Sequence, residues 1–371
     1  MHTAELNSLI IALIYGSLIL LSFLKISNPL KVNKKANFWF GIFLFVWSTF
    51  WLDDISLFFS NAELNVTVAL LFHFIQFFTP VIFYFSVVFF TNPNFRFQIK
   101  DLRYLAIPVL FLVVSFLQTS SVKEKDPFFQ PVLSGLILIH ALIYALASYL
   151  KIRKHKKNIL LFSSDTNEID LNWLENIITL ILSMSVIFSI YNLFFNASSL
   201  NLFINIIFLV AIFIIAYYSL KQKEIFPVNE KQRNDIISLN EEAPSVEMKR
   251  KIISDEELVK LKSRLIELMK LQQPYLDSEL NLIKLAELLN MTAHQLSYLL
   301  NSGFNESFFL FINKYRVEKA KELLVREEMN NLSILGIAFE SGFNSKTSFN
   351  STFKKITNQT PSEFKKTSTG L

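Results

Sequence analysis

Residues 333–355 read SILGIAFESGFNSKTSFNSTFKK, and the rules for helix ends divide them into two short helices. Ser333 is placed to cap a helix over 334–340. Ser341, Gly342 and Phe343 make a turn, and Ser345 caps a second helix reaching Lys355. Gly342 sits where a helix ends in the left-handed region, which glycine tolerates best. On the second helix Phe349, Phe353 and Ile356 share one side, toward a core. Lys346, Thr347, Asn350 and Ser351 fall in an arc of about 140° that holds no apolar residue. Lys354 and Lys355 follow at the helix end, where cations suit both the helix dipole and phosphates. Two short helices around a tight turn, the second polar on its free face, form a helix-turn-helix.

Working outward, a second copy lies upstream. Residues 282–301 read LIKLAELLNMTAHQLSYLLN. A helix over 282–289 meets a break at Asn290-Met291, with Asn290 suited to a left-handed position and Thr292 to an N-cap. Leu296, Leu299 and Leu300 gather on one side of the next helix, and His294, Gln295, Ser297 and Tyr298 on the other. Between the copies, 308–325 forms one long amphipathic helix, a strut that can hold two reading helices one DNA turn, roughly 34 Å, apart. Upstream again, Asp255 is expected to cap a helix running to about Leu271, with Leu258, Leu261, Leu265 and Leu268 on one face and Pro274 stopping it. Arg316, beside Glu318 and Glu322, reads as a structural ion pair.

Residues 255–366 resemble the C-terminal DNA-binding domain of the AraC/XylS family of bacterial transcription regulators. The resemblance rests on IAFESGFNSKTSFNSTFKKITNQTPSEF (337–364), with LNLIKLAELLNMTAHQLSYLLN (280–301) and FFLFINKYRVEKAKELL (308–324) following the same pattern. It implies that the second helix of each unit enters the major groove of double-stranded DNA. The residues in reading positions are then His294, Ser297 and Tyr298 in the first unit, and Lys346, Thr347, Asn350 and Ser351 in the second. Asn can read adenine, and Lys guanine or a phosphate. The bland alternative for these side chains is a solvated helix face. Two departures stand out: Asn358, where the family commonly has Gly before Thr360-Pro361, and Tyr298, where many relatives have Arg.

The remaining sequence is of another kind. Residues 1–220 carry 14 basic and 11 acidic residues, against 22 and 20 in 221–371, and the long apolar runs are confined to the first part. Seven segments approach the ~20 apolar residues that a bilayer crossing needs: about 6–24, 38–60, 66–90, 102–118, 131–150, 173–195 and 200–220. The first, third and fifth loops hold Lys25, Lys31, Lys34, Lys35, Arg96, Lys100, Arg103, Lys151, Arg153, Lys154, Lys156 and Lys157. Among the remaining loops only the fourth is basic, with Lys123 and Lys125 offset by Glu124 and Asp126. Positive charge inside therefore places the N-terminus outside and the C-terminal half in the cytoplasm, as an inner-membrane protein. The first run lacks a basic start and a cleavage site and reads as a retained span. Residues 221–250 lose apolar periodicity and contain Pro227 and Pro244, a linker that would extend about 30 Å if flexible. The expected architecture is all-α, a seven-helix transmembrane bundle (1–220), a linker (221–250) and a tandem helix-turn-helix domain (251–371), the arrangement of the membrane-bound members of that family.

Composition narrows the chemistry. The seven glycines lie too far apart for a phosphate-cradling loop, which excludes Walker A and Gly-x-Gly-x-x-Gly nucleotide sites. No Cys and five scattered His leave no metal-ligand spacing. Nothing in the polar half sets a nucleophile beside a base, so neither an enzyme nor a cofactor is expected. Asp53, Asp54, His73, Gln76, Asn192 and Asn205 all fall toward the outer side of the bilayer and are candidate contacts for a small-molecule or membrane signal. His140, at mid-membrane, reads as a packed residue. The expectation is a membrane-tethered transcription regulator whose partners are promoter DNA, the lipid bilayer, a signal and, in one arrangement, a second copy as a homodimer. The rival is a multi-span receptor or transporter whose cytoplasmic helices bind a protein.

Overall fold

The computed structural model describes residues 2–60, 62, 64–120, 129–194, 199–227, 229–241, 253–326 and 332–369. Lys123, Glu124, Lys125 and Asp126 of the fourth loop, much of the second half of the linker, and the side chain of Asn192 lie outside the described residues. Among the described residues every regular element is helical, and the chain divides into two compact units. One comprises residues 1–153 and 171–225; the other comprises 154–170 and 226–371.

The first unit holds α1 (His2–Ser27), α2 (Lys34–Ser48), α3 (Leu52–Ser60), α4 (Val66–Phe77), α5 (Thr79–Thr91), α6 (Ala106–Ser120), most of α7 (Phe129–Asn158), α8 (Asn172–Phe194) and α9 (Ser199–Lys221). Among the described residues, five stretches are long and apolar enough to cross a membrane: Glu5–Ser27, Lys34–Ser60, Thr67–Thr91, Gly135–Leu161 and Leu202–Lys221. They coincide with five of the seven expected spans. The other two expected spans are also helical, as α6 preceded by a 3-10 stretch over Ile99–Leu105, and as α8. α1 packs against α2 and α9, and α2 against α5, burying Ile14, Leu18, Phe40, Leu44, Val87 and Phe90. Meanwhile Leu9, Leu13, Phe23, Phe45, Leu142, Leu146 and Phe213 point outward, an apolar exterior that suits hydrocarbon and not water. The close α1–α2 approach depends on Gly41. A methyl group there would meet Ile26 Cγ1 at 2.6 Å, and the Ser22 hydroxyl donates to the Gly41 carbonyl at 2.8 Å. A single glycine thus does what spacing-based motifs do elsewhere. The sequence shows only that Gly-x-x-x-Gly is missing.

The second unit is built of α10 (Glu230–Glu241), α11 (Asp255–Leu271), α12 (Leu282–Leu288), α13 (Ala293–Tyr298), α14 (Phe308–Val325), α15 (Ile334–Glu340), α16 (Lys346–Thr357) and α17 (Pro361–Thr369). Its helix starts follow the sequence closely. Thr292, Ser307, Ser333 and Ser345 each accept a hydrogen bond from the backbone N–H three residues on. At α11 the cap is Ser254, not Asp255: the Ser254 hydroxyl accepts from Glu257 N–H, and Asp255 opens the helix, where its charge favours the dipole. The linker is also more ordered than expected. α10 starts at Asn229, whose side chain accepts from the N–H groups of Lys231 and Gln232, and it buries Ile236, Ile237 and Leu239. Those three apolar side chains are what turn a polar stretch into a packed helix.

Candidate nucleic-acid interface

α15 and α16 form one helix-turn-helix. Val317, Ala320, Leu323 and Leu324 of α14 pack with Ile337, Ala338, Phe343, Phe349 and Phe353 in a continuous core. Full burial of each Phe contributes about 1.5–3 kcal/mol. The turn itself is fixed by Gly342 at φ +86°, where a methyl group would meet the Tyr275 carbonyl at 2.3 Å and Leu276 Cα at 2.9 Å. Both the left-handed backbone and the close approach therefore require glycine. Below the turn lies Arg316, almost fully buried, donating from Nε to the Tyr275 carbonyl and from Nη2 to the Asp277 carbonyl, each at 2.8 Å. Burial lowers its pKa to about 10, opposed by the nearby carboxylates of Asp165, Asp277 and Glu279. Arg316 is structural as expected, but its partners differ. Glu318 pairs with Lys321, and Glu322 with Lys319 and Arg326, because those side chains lie on the outer face of α14.

This packing turns one face of α16 outward. Ser348, Phe349, Thr352 and Phe353 are buried, while Lys346, Thr347 and Ser351 are exposed and Asn350 is half-buried. Lys354 and Lys355 are exposed at the end of the same helix, which closes at Asn358 in the left-handed conformation. The φ of 62° at Asn358 fits the turn for which the family pattern favours glycine. The four expected reading residues of this unit thus share one accessible surface.

The first unit is arranged differently. Asn290 adopts φ 53°, and Thr292 and Gln295 cap α13 reciprocally. Ala293, Leu296, Leu299 and Leu300 face inward. Ser297 is buried with them, its hydroxyl accepting from Asn301 Nδ2 at 3.4 Å. At about 100° per residue it lies beside Ala293 and Leu300, on the edge of the apolar arc. His294 and Tyr298 are half-buried, and His294 Nε2 is hydrogen-bonded to the Ser238 hydroxyl of α10 at 2.8 Å. The linker helix therefore lies on the helix expected to read DNA, a contact that a polar linker sequence does not announce.

Among the described residues, the candidate signal residues differ in their surroundings. Asp53, Asp54 and His73 are exposed. Gln76 donates to the Thr49 carbonyl at 2.9 Å, and Asn205 accepts from Trp51 Nε1 at 3.2 Å while donating to Asn7 at 3.0 Å. The last two tie helices together. His140 is buried, its ring stacked on Phe77 with centroids 4.3 Å apart.

Comparison with known proteins bears on the second unit. A family described as a helix-turn-helix domain matches residues 285–367. A Staphylococcus aureus protein named as an uncharacterized helix-turn-helix-type transcriptional regulator is 36% identical over 88 residues, 24% of this chain and 11% of that protein. The chain therefore spans only about a tenth of that relative's length. No solved structure matches. The C-terminal part of the chain carries a helix-turn-helix domain of the kind found in DNA-binding transcription regulators, which are not enzymes.

Proposed function

We propose that this protein is a membrane-tethered, sequence-specific transcription regulator, in which a bundle of seven spans receives a signal and a cytoplasmic tandem helix-turn-helix domain reads promoter DNA. The observation that carries the reading is the outward face of α16, with Lys346, Thr347, Asn350 and Ser351 on a helix whose other side is locked into a core shared with α14 and α15. Hydrogen-bonding side chains on a rigid, capped helix are what base-edge recognition requires, and Lys354 and Lys355 supply phosphate contacts. In the first helix-turn-helix His294, Ser297 and Tyr298 are the corresponding contacts, with His294 held by Ser238 of α10. The apolar exterior of the first unit and the concentration of Lys and Arg in alternate loops support the membrane placement, N-terminus outside. Asp53 and Asp54, exposed in the first turn of α3, and His73, exposed on α4, are the proposed first contacts for an external signal, and pairing of two copies would match a repeated DNA site.

The test is a gel shift with the full-length chain in lipid nanodiscs on the DNA upstream of its own gene. A shift that survives excess competitor DNA at physiological salt is expected. Equal displacement by any competitor would overturn sequence-specific recognition.

A further inference from the structure

Residues 92–105 join α5 to α6. Their first part is held from α2, where Lys35 Nζ donates to the Pro93 carbonyl at 3.0 Å, so the first and third loops lie at one end of the bundle. The second part is the 3-10 stretch Ile99–Leu105, opened by a capping box in which Gln98 N–H donates to Asp101 Oδ2 at 2.9 Å. At three residues per turn this stretch has three edges. Ile99, Leu102 and Leu105 form one, all exposed, Ile99 at 86% and Leu102 at 62%. Lys100 and Arg103 form the second, also exposed, with Arg96 exposed just before them. Asp101 and Tyr104 form the third and turn inward. Asp101 is buried, and the Tyr104 carbonyl accepts from the Tyr144 hydroxyl at 3.1 Å. Phe97 rests on Phe85 and Trp39, with ring centroids 4.8 and 5.8 Å away.

An exposed edge of Ile and Leu beside an exposed edge of Lys and Arg suits one surrounding, the boundary between acyl chains and lipid headgroups. Length points to the same depth. α6 has 15 residues and rises about 22 Å, less than the ~30 Å of a hydrocarbon core. The 3-10 turns therefore make up the end of that crossing. Asp101 is the one acidic residue of 92–105, and it is engaged on the protein side, so the outward charge of the loop is positive. A positive edge at headgroup depth favours lipids of net negative charge.

We infer that residues 96–105 are a binding site for anionic phospholipid, in which Ile99, Leu102 and Leu105 enter the acyl chains while Arg96, Lys100 and Arg103 hold the headgroup phosphate. The inference rests on the membrane placement proposed above and names the lipid class that this loop takes. The aromatic packing and the capping box hold the loop in place, so little ordering has to be supplied on binding.

The chain has no Cys, so single nitroxide labels can be placed in the full-length protein in vesicles of equal phosphatidylglycerol and phosphatidylcholine. Labels on Ile99→Cys and Leu102→Cys are expected to meet oxygen in preference to a water-soluble nickel chelate, as is a label on Leu146→Cys at the apolar exterior of α7. If the labels at 99 and 102 meet nickel while that at 146 meets oxygen, the inference alone is overturned. If the label at 146 also meets nickel, the membrane reading falls and the inference with it. Lipid class is read by native mass spectrometry of the full-length protein taken from the same vesicles. The native chain is expected to retain phosphatidylglycerol over phosphatidylcholine. Arg96→Gln/Lys100→Gln/Arg103→Gln should lower that ratio by at least about fivefold, the weight of one basic residue at an anionic surface. An unchanged ratio, or an equal fall in Arg153→Gln/Lys154→Gln/Lys157→Gln at the end of α7, would overturn the inference.

Discussion

At the scale of single residues, the sequence identifies the turn glycine, and the structure supplies a second reason for it. Gly342 is required by its positive φ and also by the Tyr275 carbonyl that faces it. Gly342→Ala should cost about 2–3 kcal/mol from strain and overpacking together. Hydrogen exchange would read this as faster opening of α15 and α16 amides; unchanged protection would mean that the backbone can yield there. Arg316 carries a comparable weight. Arg316→Lys keeps the charge but cannot reach two carbonyls at once, and leaves one buried acceptor unpaired at about 1–3 kcal/mol. Its partners could not be read from sequence, because the Tyr275 and Asp277 carbonyls lie 41 and 39 residues away. On the reading face, Lys346→Ala together with Asn350→Ala should abolish sequence preference while leaving helical circular dichroism intact, since neither side chain is in the core.

At the scale of elements, helix boundaries were legible wherever a cap and an apolar stripe coincide. The strut at Phe308–Val325 and the helix at Ile334–Glu340 fall at the bounds expected from the sequence, the second behind its expected cap Ser333. Ser345→Ala should destabilise α16 by about 1 kcal/mol through loss of its cap, and it also removes the acceptor for Asn167. Less legible were elements that exist through distant contacts. α10 has a capping Asn229 but few apolar residues, and its burial depends on partners far along the chain. Ser297 was expected on the open side of α13, yet it sits at the edge of the buried arc, where a one-residue shift in angle decides exposure. The 163–167 segment is polar and short, and nothing in its composition says that Asn313, some 149 residues on, will hold it.

For the whole molecule, division into an apolar and a charged part follows from composition alone, and among the described residues the helices long and apolar enough to cross a membrane lie in the first. The proposed orientation rests on loop charge. C-terminal fusion of a reporter active only in the cytoplasm should therefore give signal, and periplasmic activity would overturn the assigned topology. Residues 248–371 are only mildly basic, with 18 basic and 14 acidic residues, so the proposed DNA affinity rests on the local grouping of Lys346, Lys354 and Lys355. Replacing one of these by Ala should reduce the slope of log affinity against log salt by about 1. The most direct measurement is a nuclease or hydroxyl-radical footprint of the full-length protein on a duplex that it selects. Two protected segments centred about one helical turn apart, roughly 10–10.5 base pairs, are expected from two reading helices joined by the α14 strut, and the segment read by α16 should be lost with Lys346→Ala and Asn350→Ala. A single protected segment indifferent to those substitutions, or uniform protection without sequence preference, would contradict it.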